Sequence, residues 1–314
     1  MHVVVGCNGP VGVATLFELA GRGLNVRGVC RSGRSEAPSG VTLVAADARD
    51  PNAMRRACES AEVVYATVGL PYPEWARDWP LVIEGLIAGA RGRRLVFADN
   101  LYAYGPAQRP LVEDMPFTRL GRKPALRARL DERLLEAQRA NELLVSLVRA
   151  SDFYGPRVRN SLLGQQVFEP ALRGRPAQLL PGVDQPHALT YVADFARALL
   201  TVGSAPDDAY GRAWHVPNAP ARSLREVVHQ LFALLGREPK LSVMPGWLLT
   251  ALGWFSPLMR ELGEMRPNLE QPYLVDHSAF VARFGWEATP LEAGLERTLD
   301  WYRAQQGSAS RAAP

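Results

Sequence analysis

Twelve residues at the N-terminus constrain the fold more than any other stretch. Val3, Val4 and Val5 form a β-branched apolar run suited to a strand covered on both faces. Gly6, Gly9 and Gly12 follow at the spacing G-x-x-G-x-x-G, and Val13, Leu16, Phe17, Leu19 and Ala20 then recur with helical spacing. Strand, glycine turn and helix in that order bring backbone N–H groups and a helix N-terminus against a pyrophosphate. A side chain at Gly6 or Gly9 would hold the phosphates away, and Gly12 lets the helix pack close to the strand. The stretch predicts a dinucleotide-binding unit, with Gly6, Asn8, Gly9, Pro10, Val11 and Gly12 along the cofactor.

Further strands are predicted over Leu24–Cys30, Val41–Ala46, Glu62–Ala66, Leu95–Ala98 and Leu144–Arg149, alternating with helices. That alternation predicts an α/β protein, a doubly wound parallel sheet of Rossmann type, with ligands beyond the carboxyl ends of its strands. The second strand ends in Arg31-Ser32-Gly33-Arg34, where an NAD-preferring protein usually carries an acidic residue. Arg31, Ser32 and Arg34 therefore favour NADP(H), with NAD(H) still admissible. Asp47 and Ala48 are placed at the adenine, and Asp50 caps the helix opening at Pro51. Thr67, Val68 and Gly69 are placed along the nicotinamide ribose, with Tyr154 near the nicotinamide. Trp214-His215-Val216 reads as an edge strand and Ser223 to Glu226 as a capping box. Residues 1–155 are expected to bind the nucleotide and 156–305 to form a smaller C-terminal substrate-binding lobe. That lobe is interleaved with a late helix of the first unit at about 191–203, and 306–314 form a disordered tail.

Composition excludes several classes. The chain has 314 residues and a net charge of +4, with its arginines scattered, so nucleic-acid binding has no support. Cys7, Cys30 and Cys58 cannot pair completely and show no metal-ligand spacing, which points to a reduced, cytoplasmic setting with no metal site. No signal peptide is evident, and no apolar stretch reaches the roughly 20 residues needed to cross a bilayer.

The glycine turn, the Asp47 strand end, Tyr104-Gly105, Tyr154-Gly155-Pro156 and Tyr191-Val192-Ala193-Asp194-Phe195-Ala196-Arg197 occur in that order. Together they resemble the extended short-chain dehydrogenase/reductase superfamily, and more narrowly its NAD-dependent epimerase/dehydratase branch. The resemblance runs to about residue 200, and more weakly to about 305. It implies a Ser or Thr four residues before the Tyr of the Tyr-Gly pair, and here that position is Asn100. It also implies a Tyr-x-x-x-Lys dyad some 25 residues further on. Counting past Pro124 places Ala125 and Arg129 there, with room for a slip of one or two residues, and no tyrosine lies between Tyr104 and Tyr154. The chain thus resembles atypical members of the superfamily.

In the family the tyrosine moves a proton while hydride moves. Tyr102 is the expected replacement acid, with Asn100 polarising the substrate oxygen and Arg129 holding the ribose. Tyr104, Asp152, His187 and Trp247 are expected on the substrate side, and Asp99 and Asp152 are rim carboxylates able to hold a proton. The apolar stretch from Met244 to Leu262 reads as a core or cap helix, or as a lid or a surface for membrane or partner. Residues Ala125 to Ala137 are apolar enough for a homodimer contact or for the core. The expected activity is NAD(P)H-dependent reduction of a carbonyl or activated double bond in a small, mostly apolar molecule. The alternatives are a nucleotide-sugar epimerase or dehydratase and a non-catalytic NAD(P)-binding sensor or assembly protein.

Overall fold

The valine run forms β1 (His2–Val5), with Val3, Val4 and Val5 all buried. In the computed structural model, which describes residues 1–264 and 266–311, β1 lies inside a seven-stranded parallel sheet. On one side Val5 is in register with Val29 of β2 (Val26–Cys30), on the other with Ala66 of β4 (Val63–Ala66). Beyond β2 lies β3 (Thr42–Ala45). Beyond β4 lie β5 (Arg94–Asn100), β6 (Leu144–Ala150) and finally the edge strand Arg212–His215. Winding reverses between β1 and β4, and such a reversal opens a crevice at the strands' carboxyl ends.

Helices α1 (Pro10–Gly21) and Val192–Gly203 cover one face of the sheet. The other face carries α2 (Pro51–Ala57), α3 (Trp75–Gly89) and α4 (Arg122–Arg139). Local signals hold where the chain chemistry is strong. Asp50 accepts from the N–H groups of Asn52 and Ala53 at 2.8 and 3.2 Å, and Ser223 with Glu226 forms the expected capping box. Leu126, Leu130 and Leu134 of α4 are buried against the sheet, so that apolar stripe serves the core.

A second core gathers Val167, Phe168, Val228, Leu231, Leu295, Leu299 and Tyr302. It is closed by the helix Leu291–Arg311. Anchored by those buried side chains and uninterrupted by proline, this helix runs through 306–311, where a disordered tail is expected from the sequence; residues 312–314 lie outside the described ones. Asp194, in the first turn of Val192–Gly203, accepts from Thr289 N and Oγ1 at 2.7 and 2.9 Å and ties this second core to the sheet.

Candidate active site

The glycine turn sits at the reversal point. Gly6 has φ +85°, and a Cβ there would lie 2.7 Å from Val68 N and 2.8 Å from the Thr67 carbonyl. A Cβ on Gly12 would lie 2.7 Å from Cys7 Cα, so α1 packs directly on the turn. Gly9 differs: the nearest protein atom to a Cβ there is 3.6 Å away, in open contact range. What glycine leaves free at that position is the space before α1. That N-terminus has no side-chain cap and has Pro10 in its first turn, so the Val11 and Gly12 N–H groups lack intrahelical acceptors. An anion fits there. Thr67 spends both its N–H and its hydroxyl on Val5 O, at 2.8 and 2.9 Å, and so clamps β4 to β1 with Val68 and Gly69 just beyond.

At the end of β2, Arg31, Ser32 and Arg34 are exposed, as is Asn8 on the glycine turn. The Ser35 hydroxyl donates to Cys7 O at 2.8 Å and holds this loop on the turn. Asp47 and Ala48 are less available than expected. Arg49 grips the Asp47 carboxylate at 2.7 Å and lowers its pKa, and the Ala48 carbonyl packs under Gly85 of α3.

The start of α4 corrects the expected register. Arg129 lies on the exposed side of the helix, away from the strand ends. The inward residues one turn apart are Lys123 and Arg127, both buried, two places earlier than the count from Asn100. Helix phase explains this, because 123 and 127 share the stripe of Leu126, Leu130 and Leu134 that packs on the sheet. Lys123 Nζ bonds Glu264 Oε2 at 3.0 Å and pairs with Glu261, both on the helix Pro257–Glu264. The Glu264 carboxylate also accepts from the N–H groups of Arg122 and Lys123, at 2.6 and 3.0 Å. Arg127 pairs with Asp99 and stacks over Trp79 at 4.8 Å and Phe97 at 5.2 Å.

Asp99 is therefore no proton store: Arg127 and Arg149 hold its buried carboxylate below the usual range against the cost of burial. The raised group is Asp131 of α4, pushed up to about 8 by burial and by Asp99 despite Arg149 at 2.7 Å.

Four sequence-predicted residues meet at the rim. Asn100 Oδ1 accepts from Tyr102 N at 3.0 Å, and the hydroxyl of Tyr102 lies 3.0 Å from that of Tyr72. Lys123 Nζ stands 5.1 Å from the centroid of the Tyr72 ring. Burial raises both tyrosines, Tyr72 to about 12 and Tyr102 well above its ordinary value, and the bond from Tyr102 pulls Tyr72 partly back. His187 Nε2 and Asp152 Oδ2 are 2.8 Å apart, and the His187 ring stacks on Tyr273 at 4.9 Å.

Besides Arg129, three more expected site residues are elsewhere. Tyr154 is buried in the second core against Tyr191 and Gly294, because in the strand Asp152–Tyr154 it points opposite to Phe153, which packs on Phe195 in the sheet core. Tyr104 is buried with its hydroxyl 2.9 Å from His215 Nε2 and the Arg149 guanidinium over its ring. Trp247 is on an outer helix in solvent. Tyr72, Lys123, Tyr273, Glu261 and Glu264 escaped the sequence reading. The apolar stripe of α4 carried the signal for Lys123.

A reversed parallel sheet with an open glycine cradle and a polar rim defines a dinucleotide-binding protein of the short-chain dehydrogenase/reductase type. Residues 2–216 match the model of the NAD dependent epimerase/dehydratase family, and the protein belongs to that family. Over 227 residues the chain is 22% identical to a UDP-N-acetyl-alpha-D-glucosaminuronate decarboxylase of Bacillus cytotoxicus, covering 69% of this chain and 66% of that protein. It is 24% identical over 304 residues to 3beta-hydroxysteroid-dehydrogenase/decarboxylase isoform 2 of Arabidopsis thaliana, covering 86% of this chain and 52% of that one. The chain thus spans between half and two thirds of these relatives. MoeE5, solved in complex with UDP-glucose and NAD, shares the fold with a TM-score of 0.77 at 22% identity, over 97% of this chain and 99% of that one.

Proposed function

We propose that this protein is a nicotinamide-dinucleotide-dependent enzyme of nucleotide-sugar chemistry, of epimerase, dehydratase or decarboxylase type. The observation that carries the reading is the position of the Tyr102–Tyr72 hydroxyl pair at the carboxyl ends of the strands that hold the open cradle at Gly9. The substrate class is supported by the decarboxylase relative and by the UDP-glucose bound in MoeE5. A bound nicotinamide would supply hydride transfer, with Gly6, Gly9, Val11 and Gly12 holding its pyrophosphate. Relatives favour NAD, whereas Arg31 and the absence of a carboxylate over residues 31–34 favour NADP.

The chain's own groups divide the remaining work. Asn100 keeps its Nδ2 amide to donate to a substrate oxygen, since its Oδ1 is spent on Tyr102 N. Tyr102 donates the proton to that oxygen in reduction, or its phenolate accepts it in oxidation, and Tyr72 steadies the phenolate through their shared hydrogen bond. Lys123 stands over the Tyr72 ring with its charge paired to Glu261 and Glu264, and burial together with Glu261 keeps the Tyr72 hydroxyl protonated as a donor. The tyrosine that supports Tyr102 is thus supplied from the loop after β4 and packs beside the helix lysine. The lobe over 156–305 receives the substrate, with His187 and Asp152 at its entrance. Three free, buried cysteines fit a reducing cytoplasm.

Reduction of an apolar carbonyl compound is the second reading, favoured by the aromatic wall of Tyr72, Trp75 and Tyr102. The test is nucleotide binding and turnover with UDP-sugars and with apolar ketones, on wild type and Tyr102→Phe. We expect turnover of a UDP-sugar, a fall in kcat of about 10²–10⁴-fold in the variant, and nucleotide affinity within about twofold. Turnover confined to ketones would establish the second reading. Nucleotide binding with no turnover of either would leave a sensor or assembly protein.

A further inference from the structure

Four of the eight exposed large apolar side chains among the described residues, Trp247, Leu252, Trp254 and Phe255, are gathered on one feature. Helices Gly246–Leu252 and Pro257–Glu264 form a hairpin whose turn presents Trp254 and Phe255 at its apex, 78% and 87% exposed. Trp247 is 71% exposed beside them, with Leu252, and only Leu249 of the first helix is buried. This corrects the core-helix reading of the stretch. Aromatic rings at an apex contribute nothing to the core and cost hydration.

The backbone of the apex is satisfied from within. The N–H groups of Gly253, Trp254, Phe255 and Ser256 donate to Leu249, Ala251, Leu252 and Leu252 carbonyls at 3.1, 3.2, 3.1 and 2.9 Å, and Arg260 Nε donates to Gly253 O at 3.1 Å. Such a turn can enter a low-dielectric boundary without stranding an N–H group. Charge is arranged in the same sense. No residue from Leu241 to Met259 is charged, Arg260 follows in solvent, and the nearest carboxylates, Glu261 and Glu264, turn inward to Lys123. Apolar rings beside the exposed Arg260, with Glu261 and Glu264 turned inward and Glu270 neutralised by Arg266, complement an anionic headgroup layer. A two-fold contact centred on this patch would gather two like charges, one Arg260 from each copy, into one small interface. Four side chains also fall well short of the roughly 20–30 residues a side of a stable protein interface.

We infer that this hairpin docks the protein on an anionic lipid bilayer, Trp254 and Phe255 entering the headgroup–acyl boundary and Arg260 pairing with lipid phosphate. It rests on the surface without crossing it, since among the described residues no helix is long and apolar enough to span. Docking is independent of the chemistry proposed above and brings the site, through Glu261 and Glu264, to the membrane.

The test is flotation of the full chain with vesicles of phosphatidylcholine alone and of phosphatidylcholine mixed with phosphatidylglycerol, with tryptophan emission read in parallel. We expect binding to the mixed vesicles with emission shifted to shorter wavelength. Combined Trp254→Ser and Phe255→Ser should lower partitioning by about tenfold or more, and Arg260→Gln should lower it only where the lipid is anionic. Phe255→Ser alone, checked by its melting temperature, serves if the double variant folds poorly. Failure of the wild type to float would overturn the proposal, as would flotation indifferent to Phe255→Ser. So would a concentration-dependent dimer abolished by that substitution with vesicles left unbound.

Discussion

Lys123 is a buried cation whose partners come from 138 and 141 residues along the chain, Glu261 and Glu264. Removing it strands two carboxylates at the rim, although both are partly open to water and Glu264 keeps two backbone N–H donors. Lys123→Met is therefore expected to cost about 2–3 kcal/mol at pH 7, at or just below the range for a broken buried pair. The sign of its pH dependence follows from Glu264, whose pKa is lowered in the fold, mostly by Lys123 and the α4 N–H groups acting against burial. Stability from such a group is present above the unfolded carboxylate range and is lost as pH falls through the folded value. The gap between variant and wild type in urea unfolding should shrink on acidification from pH 7 to pH values below about 4.

At the scale of elements, the glycine turn separates two roles that one motif combines. Gly9→Ala meets ordinary contacts at 3.6 Å and a backbone any residue adopts, φ −79° and ψ 164°. We expect it to change stability by less than about 1 kcal/mol while weakening nucleotide binding more than tenfold by calorimetry, because the methyl enters the phosphate space. Gly6 offers no such separation, since its φ and the backbone of Thr67 and Val68 both require glycine. The turn was legible because strand, glycine spacing and helix are contiguous, and Asn100, Tyr102, Asp152 and His187 because polar residues at strand ends are few. The phase of α4 was not, because counting from β5 crosses the loop 105–121, whose length carries no helical phase. Reading the stripe of Leu126, Leu130 and Leu134 instead would have placed Lys123 and Arg127 inward. Tyr72 was hidden for another reason, as its partner Tyr102 is 30 residues away with no shared motif.

For the molecule as a whole, the charge sandwiched between α4 and the sheet sets a pH response. Asp131 is raised to about 8 by burial and by the Asp99 carboxylate, and its Oδ1 is buried without a partner, as suits an un-ionised carboxyl. The native state then keeps a proton that the unfolded chain releases from about pH 4 upward, so stability falls as pH rises from there to about 8. Asp131→Asn retains an acceptor for Arg149 and removes this ionisation. The variant should match wild type near pH 5 and exceed it by roughly 2–4 kcal/mol near pH 8.5 in urea titrations.

The position of the edge strand has a bearing on biogenesis. β6 ends at Ala150, but its outer partner begins only at Arg212, after the first elements of the second core. On the ribosome, a nascent chain released to Tyr154 presents Val145 and Leu147 on an open strand for the several seconds that the intervening segment takes to emerge. Until then the nucleotide-binding half is an incomplete sheet, prone to pair with the same edge on a neighbouring nascent chain. Slow codons placed between the two strands would lengthen that exposure, and a gene cut at residue 155 would make it permanent.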